Sequence, residues 1–408
     1  MTDTTDIAVL GAGAAGFLAA IRAAERGNDV LLLEKNRKPA VKILMSGGTR
    51  CNLTHATDRR GIVDAFGKQG RFLHSALALL GPDEIVELFE AEGVATKVEA
   101  TGKIFPVSNR AVDVADALRR MLERSSARLW LERPATQIER IDAGFLIRTP
   151  AGDLAAKKIV LTTGGQSYPG CGTTGDGYAW AKRFGHKIIP PRPALVPLLA
   201  DVAWVSALSG VTVPDVAIRL ITDEDVHAKP LAARRGSFLF THFGVSGPAV
   251  MDVSRVVTAR PDAGNWRMIC DFLPEYNEDY VREEIIASRQ TVLATIAQWL
   301  PKRLSESLLE QAEIALDCRA PELAKNRRNR LLQTLKRMPI PIRGSQGFKK
   351  AEVTAGGVAL DEVDSRTMQS KLCPNLYFAG EILDLDGPIG GYNFQAAFST
   401  GWLAGESV

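Results

Sequence analysis

Between Ile7 and Glu34 the chain runs from apolar strand through a glycine-rich turn and an alanine-rich helix into a second apolar strand. Ile7, Ala8, Val9 and Leu10 lead into Gly11-Ala12-Gly13-Ala14-Ala15-Gly16. The helix then ends at Gly27, and Val30 to Leu33 finishes on Glu34. Each glycine has its own duty. Gly11 permits the tight exit from the strand, Gly13 lets the backbone approach a pyrophosphate, and Gly16 lets helix and strand pack closely. The helix N-terminus at Ala14 and Ala15 offers amide donors and the positive end of a dipole. An acid at the end of the second strand, about 20 residues past the glycines, bonds a ribose 2′-OH and repels a 2′-phosphate. The stretch predicts a dinucleotide-binding Rossmann fold, with FAD or NAD favoured over NADP.

A chain of 408 residues is too long for one ordinary core, so two or three domains are expected. Its hydrophobic content of 46% and charged content of 24% are those of a globular protein in water. Residues 1–6 carry two aspartates and no basic residue, unlike a signal peptide, and no apolar run is long enough to span a membrane. A cytoplasmic location without membrane attachment is expected. The five cysteines (Cys51, Cys171, Cys270, Cys318, Cys373) are widely spaced and form no CxxC, which argues against a disulfide framework, a zinc site or a dithiol redox centre, and no metal is expected. Charge is uneven. Residues 323–350 hold Lys325, Arg327, Arg328, Arg330, Lys336, Arg337, Arg343, Lys349 and Lys350 with no acid. Such a run is either a solvated helix face or a patch for RNA or another anionic partner.

After Glu34 and Lys35, residues 42–55 (KILMSGGTRCNLTH) are too polar and glycine-rich for buried structure. They read either as a plain surface loop or as backbone laid over a cofactor's reactive ring. Residues 72–125 carry helical periodicity broken at Gly81-Pro82 and at a turn over 102–106. Strands at 128–132 and 145–149 suggest a β-meander crossing the first sheet. The strand at 158–162 ends in Thr163-Gly164-Gly165, where a chain can turn against a cofactor. Gly170-Cys171-Gly172-Thr173-Thr174-Gly175 repeats the GxGxxG spacing. It follows Pro169 instead of a strand, however, and Leu195 stands where the acid belongs, so no second dinucleotide domain is expected.

Four prolines between 190 and 197 mark an exit from the first domain. Residues 198–272 alternate in strand fashion, predicting a small β-domain that contains Phe240-Thr241-His242-Phe243-Gly244 ahead of an apolar helix. Residues 277–337 read as helices, and Met338-Pro339-Ile340-Pro341 closes the insert. The final segment pairs a strand ending in Gly380-Glu381 with a helix opening at Gly390-Gly391-Tyr392-Asn393. A Gly-Glu strand end suits a ribityl hydroxyl. A Gly-Gly helix start can stabilise negative charge on a reduced flavin ring. Nicotinamide needs neither, so FAD is the expected tightly held cofactor.

Six blocks in order carry a resemblance that spans nearly the whole chain: GAGAAG at Gly11, KILMSGGTRCNLTH at Lys42, TTGGQSYPGCGTTGDG at Thr162, FTHFGVSGP at Phe240, VTAGGV at Val353 and FAGEILDLDGPIGGYNFQ at Phe378. With them the chain resembles the BaiN-like (YhiN-type) bacterial flavoproteins. That resemblance implies an α/β fold: a Rossmann-like, glutathione-reductase-type FAD-binding domain (1–190 and 345–408) with an inserted β-domain (191–274) and a helical subdomain (275–344). It places Ala15 and Gly16 at the pyrophosphate and Glu34 at the adenosine ribose. Lys42 with Ser46, Gly47 and Gly48 falls along the flavin, Ala135 at the adenine through its backbone, Glu381 at the ribityl chain, and Tyr392 with Asn393 at the pyrimidine edge. One position departs: relatives more often carry a third glycine in place of Thr49, and the larger residue narrows the space beside the ring.

The resemblance also implies an FAD-dependent oxidoreductase that reduces an activated C=C bond or oxidises a small amine or ketone, with NAD(P)H as transient donor. The alternatives are reduction of uridine to dihydrouridine in ribosomal RNA, using residues 325–350 to hold the RNA, and a flavin-binding regulator without turnover. His242 is the favoured general acid, because His55 falls nearer the cofactor wall and His74, His186 and His227 stand outside every glycine-rich block. Arg50, Cys51 and Asn52 are further catalytic candidates. Cys51 beside Arg50 is a candidate thiolate, a plain packing role being the simpler reading.

Overall fold

The computed structural model describes residues 3–222, 229–261 and 264–408, and the chain divides into two units, Met1–Pro193 with Glu352–Val408, and Ala194–Ala351. His227 lies outside the described residues.

In the first unit β1 (Asp3–Leu10) and β2 (Val30–Leu33) pair in parallel around α1 (Ala14–Glu25), with Ile7 opposite Val30. All four residues of β2 are buried, as expected of a parallel strand covered on both faces. Next come α2 (Val41–Thr49), β3 (Thr54–His55), α3 (Arg59–Ala65), a 3₁₀-helix over Gly67–Leu73, α4 (His74–Leu79) and α5 (Pro82–Ala91). Gly81 precedes α5 and Pro82 takes its first position, where a missing amide costs nothing; Gly81 N donates to Glu84 Oε2 at 2.9 Å. Strands β4 (Thr96–Val98) and β5 (Lys103–Pro106) follow, then α6 (Ala111–Arg124). The segment expected as a turn at 102–106 is therefore mostly strand: β5 pairs with β3 and β4, which buries Ile104 and Phe105.

The unit continues through β6 (Arg128–Trp130), β7 (Gln137–Ile141), β8 (Gly144–Arg148), β9 (Leu154–Leu161), α7 (Asp176–Arg183) and β10 (Ile188–Ala194). The meander consists of β7, β8 and β9. The stretch expected to begin it, β6, extends the parallel sheet beside β2 instead, because Leu129 pairs with the buried Leu32.

The second unit is built on one antiparallel sheet. Its elements are β11 (Leu198–Leu199), α8 (Ala203–Ala207), β12 (Thr212–Ile221), β13 (Ala232–Thr241), β14 (Gly244–Ser246), α9 (Pro248–Thr258), β15 (Trp266–Asp271), α10 (Glu278–Ala287), α11 (Val292–Ile296), α12 (Lys302–Gln311), α13 (Lys325–Lys336), β16 (Met338–Ile342) and β17 (Gly344–Ser345). Strand order is β16-β15-β12-β13-β14-β11-β17. Phe238, Phe240 and Phe272 from the sheet side share one core with Ile285, Leu304 and Leu331 from the helices. Pro339 and Pro341 sit on the edge strand β16, where an absent donor breaks no ladder.

The chain re-enters the first unit with β18 (Val353–Val358), β19 (Leu376–Phe378) and α14 (Tyr392–Ser407). β18 pairs with β10, and β19 adds in parallel to the end of β9, giving the sheet order β6-β2-β1-β9-β8-β7 with β19 on β9. Small residues let α14 lie directly on α1. A Cβ at Gly401 would stand 2.3 Å from the Ala15 carbonyl oxygen, and one at Gly405 2.4 Å from that of Ala19.

Candidate flavin site

The turn after β1 does what its glycines require. Gly11 has φ +107°, and a Cβ there would meet the Thr162 carbonyl oxygen at 2.7 Å; a Cβ on Gly16 would lie 1.9 Å from the Gly11 carbonyl oxygen. Gly13 differs: nothing lies within 4 Å of its Cβ position. The space before it is open to a ligand. Thr162 Oγ1 donates to the carbonyls of Leu10 (3.0 Å) and Gly11 (2.9 Å), pinning the turn to the end of β9. Ala14 and Ala15 begin α1, whose first turn has no acid and no side-chain cap, so no side chain neutralises the positive end of its dipole.

Glu34 is buried at the end of β2. Its carboxylate accepts from Ala12 N and Asn36 N, both at 2.9 Å, which fixes it beside the phosphate turn. The segment carrying Ala135 crosses the same end of the sheet, with Arg133 N donating to the Glu34 carbonyl at 3.0 Å. Lys35, a cofactor-contact candidate by its place after Glu34, bonds through Nζ to Asp176 Oδ2 and Thr174 Oγ1, both at 2.6 Å.

Residues 42–55 prove more ordered than their polarity predicts. α2 kinks at Ser46 (ψ 152°), Gly47 (φ +55°) and Gly48 (φ +67°), and Cys51, Asn52, Leu53 and Thr54 are buried. Gly48 is exposed with nothing within 4 Å of its Cβ position. Thr49 holds φ +68°, a region that costs a β-branched residue roughly 1–2 kcal/mol. Thr49→Gly is expected to stabilise the first unit by roughly 0.5–1 kcal/mol after the unfolded-state entropy of glycine is deducted. Thermal denaturation of the flavin-loaded protein measures this, and an unchanged or lowered midpoint contradicts it.

Of the three catalytic candidates in this loop, Cys51 and Asn52 turn inward, while the Arg50 side chain stays 37% exposed. Cys51 is fully buried, and burial pushes its thiol up to about 12, the reverse of an activated thiolate. Cys51→Ala is expected to keep turnover and flavin content, and the native thiol to resist alkylation until the protein unfolds; rapid labelling of Cys51 in the folded enzyme would refute this. With its amide oriented by the surrounding groups, Asn52 donates to the carbonyls of Thr54 (2.9 Å) and Ile104 (3.1 Å) and accepts from Gly391 N (2.9 Å). It ties the loop to the start of α14. Arg50 pairs with Glu99 at 2.7 Å and lies 4.0 Å above the Phe105 ring. Asn52 and Arg50 tie the loop to its neighbours, and Cys51 is buried within it.

A second cluster joins four segments. Lys42 Nζ bonds Ser167 Oγ at 2.7 Å and pairs with Glu381 Oε2; Glu381 Oε1 accepts from Ser167 Oγ at 2.7 Å and from Thr354 N at 3.0 Å. Thr354 Oγ1 in turn accepts from the amides of Gln166 and Ser167. After β9, Gly164 has φ +71° and the buried Thr163 Oγ1 has no hydrogen-bond partner among the described residues. Gly380, at φ +77°, sits against Ala15 and donates its amide to Thr400 Oγ1 at 3.0 Å. Gly391 opens α14 at φ +94°, and this helix too begins without an acid or a side-chain cap. Tyr392 stacks on His55 at 4.7 Å, while His55 Nδ1 lies 3.0 Å from the Gly390 carbonyl. Asn393 binds Gly387 N and the Gly387 and Pro388 carbonyls, stapling the preceding loop.

In the second unit, His242 is exposed in the turn between β13 and β14, its ring edge-on to Phe243. The basic run is partly neutralised there. Arg330 pairs with Glu313 (2.5 Å), Lys336 with Asp271 (2.8 Å), Arg337 with Glu278 (2.7 Å) and Arg343 with Asp201 (3.3 Å). Exposed Lys325 and Arg327 on α13, like exposed Lys349 and Lys350, form no ion pair among the described residues.

The first unit's site thus fits FAD. It offers an open backbone at Gly13, a fixed acid at Glu34, an unpartnered buried hydroxyl at Thr163 and two helix N-termini free of acid. Thr162, Ser167 and Thr354 complete these networks without belonging to any motif the sequence singles out by residue; the local signal each carries is a hydroxyl two positions from a glycine pair, Gly164-Gly165 or Gly356-Gly357. Among the described residues no group of His, Cys, Asp and Glu could hold a metal, and no helix is long and apolar enough to cross a membrane.

Comparison with known proteins agrees with this geometry. Solved structures of similar fold include an open-conformation flavocytochrome c3 fumarate reductase (17% identity, 99% of this chain and 78% of that one, TM-score 0.51). Another is the 3-ketosteroid delta1-dehydrogenase of Sterolibacterium denitrificans (14% identity, 99% of each chain, TM-score 0.50). Among sequence relatives, the ribosomal RNA dihydrouridine synthase of Escherichia coli K12 is 33% identical, covering 99% of this chain and 98% of its own. The 3-dehydro-bile acid delta(4,6)-reductase of Clostridium scindens is 32% identical over 98% of both. The profile of the HI0933-like protein Rossmann domain matches residues 5–407, and with these relatives it shows that the chain belongs to that family and is an FAD-dependent oxidoreductase.

Proposed function

We propose that the enzyme reduces a C=C bond conjugated to a carbonyl in a small molecule, with NAD(P)H as the electron donor. One observation carries the redox part: α14 opens at Gly391 with an acid-free, uncapped first turn, an arrangement suited to negative charge on a reduced ring. Bound FAD supplies hydride at its N5 position. Gly13 to Gly16 would hold its pyrophosphate, Glu34 its ribose, Glu381 its ribityl chain, and Ser46 to Gly48 with Gly391 and Tyr392 its ring system. Lys42 neutralises Glu381 and keeps that carboxylate aligned. The substrate class rests on the relatives. A 3-keto steroid with 4,6 double bonds and a uracil ring both present a C=C bond next to a carbonyl, which polarises it for hydride addition. The donor is read as docking transiently, because Gly11 to Gly16 is the only GxGxxG that follows a parallel strand among the described residues; the second begins inside a 3₁₀ turn at Pro169–Cys171.

An anaerobic titration tests this reading. NADH or NADPH should bleach the bound flavin, and an α,β-unsaturated ketone should restore its colour. Flavin that stays oxidised with both donors, or reduced flavin indifferent to every conjugated acceptor, would sink it.

A second reading, uridine in RNA as the substrate, is favoured by the exposed cations Lys325 and Arg327 on α13, which form no ion pair among the described residues, together with the relatives named for that reaction. RNA from cells lacking the gene should then lack a dihydrouridine that the parent strain contains. The flavin-binding regulator is not retained, since the family's relatives are enzymes.

A further inference from the structure

We propose that a surface trough formed by α3, the 3₁₀-helix Gly67–Leu73 and α4 binds the phosphodiester backbone of RNA, an inference that rests on the second reading above. The trough has a volume of about 960 Å³ and lies wholly within the first unit. Lys68 and Arg71 stand three residues apart on the 3₁₀-helix, and His74 follows as the first residue of α4. In a 3₁₀-helix residues at i and i+3 eclipse with a rise of about 2 Å per residue, so this spacing makes a row at intervals of roughly 6 Å. A row at that interval matches successive phosphates along one strand. A site for a single small anion would instead converge its donors on one point.

Arg60 adds a cation from α3. Arg60, Lys68 and Arg71 are exposed and form no ion pair among the described residues. Arg59, also on the lining, is paired with Glu84. Asp64 is the only acid on the lining, and buried Val63 and Leu77 give an apolar floor on which sugars and bases can rest. The trough is also anchored to the flavin side of the unit. Gln69 Nε2 donates to the Asp384 carbonyl at 2.7 Å, and the Phe66 ring packs against Gly387, just before Gly390 and Gly391.

The test uses flavin-loaded protein and a labelled single-stranded RNA, with affinity measured across a salt series. Every phosphate that no longer meets a cation lowers the slope of log affinity against log salt by about 0.7, so the triple variant Arg60→Ala/Lys68→Ala/Arg71→Ala should reduce that slope by about 2. Its flavin spectrum and its reduction by NAD(P)H should stay native. Should the triple variant fold poorly, Arg71→Ala alone should remove about 0.7. Wild-type protein that binds RNA, with variants of native slope and affinity, overturns the trough and leaves the uridine reading standing. Wild-type protein that binds no RNA at low salt overturns both.

Discussion

Gly13→Asn is expected to abolish FAD retention while leaving the apoprotein as stable as the parent. Gly13 has φ −93°, an angle open to any residue, and nothing lies within 4 Å of its Cβ position. Asparagine is moreover a favoured helix N-cap, so the folded apoprotein loses nothing by the change. What the side chain occupies is the approach path of a pyrophosphate. Losing two hydrogen bonds to a charged group at about 1.5–3 kcal/mol each weakens binding by roughly 10² to 10⁴. Gly16→Ala should do the opposite. Its Cβ would stand 1.9 Å from the Gly11 carbonyl oxygen, so the strand-to-helix turn must open, and overpacking of that kind costs about 1–3 kcal/mol or more. Flavin absorbance after gel filtration, with thermal denaturation of deflavinated protein, separates the two. A Gly13→Asn enzyme that keeps stoichiometric FAD contradicts the assignment of the phosphate turn.

His242→Gln is expected to slow reduction of the substrate by roughly 10² to 10⁴, the usual worth of general acid catalysis, and to leave flavin reduction by NAD(P)H near normal. Hydride addition to a conjugated C=C bond leaves an enolate-like anion on the substrate that needs a proton. We propose His242 as the donor on chemical grounds: it is exposed at a turn between β13 and β14, and an imidazole is the side chain suited to giving up a proton near neutrality. The competing groups have other commitments. His55 is stacked on Tyr392 and hydrogen-bonded at Gly390, Lys42 is paired with Glu381, and Cys51 is buried with a raised thiol pKa. His55→Gln should therefore alter flavin affinity and spectrum more than proton delivery. Stopped-flow measurement of each half-reaction decides, and a native oxidative half-reaction in His242→Gln removes it from the mechanism.

The phosphate turn, its acid and the two-glycine start of α14 were legible in the sequence because each is dictated locally. A positive φ, a missing Cβ or a strand that ends on an acid leaves its mark within a few residues of itself. The six blocks and the α/β class followed from the same local rules. Tertiary structure alone decided the fate of Arg50, Cys51 and Asn52, which composition assigned to an open loop. The deciding partners are distant in the chain: Thr54 Oγ1 bonds Gln395 Oε1 at 2.5 Å across 341 positions, and Asn52 meets Gly391. It also recruited Thr162, Ser167 and Thr354, and it turned Lys35 toward Asp176. A hydroxyl, a thiol or an ammonium carries no sequence signal for what will stand opposite it, because burial and hydrogen-bond partners are properties of the folded neighbourhood.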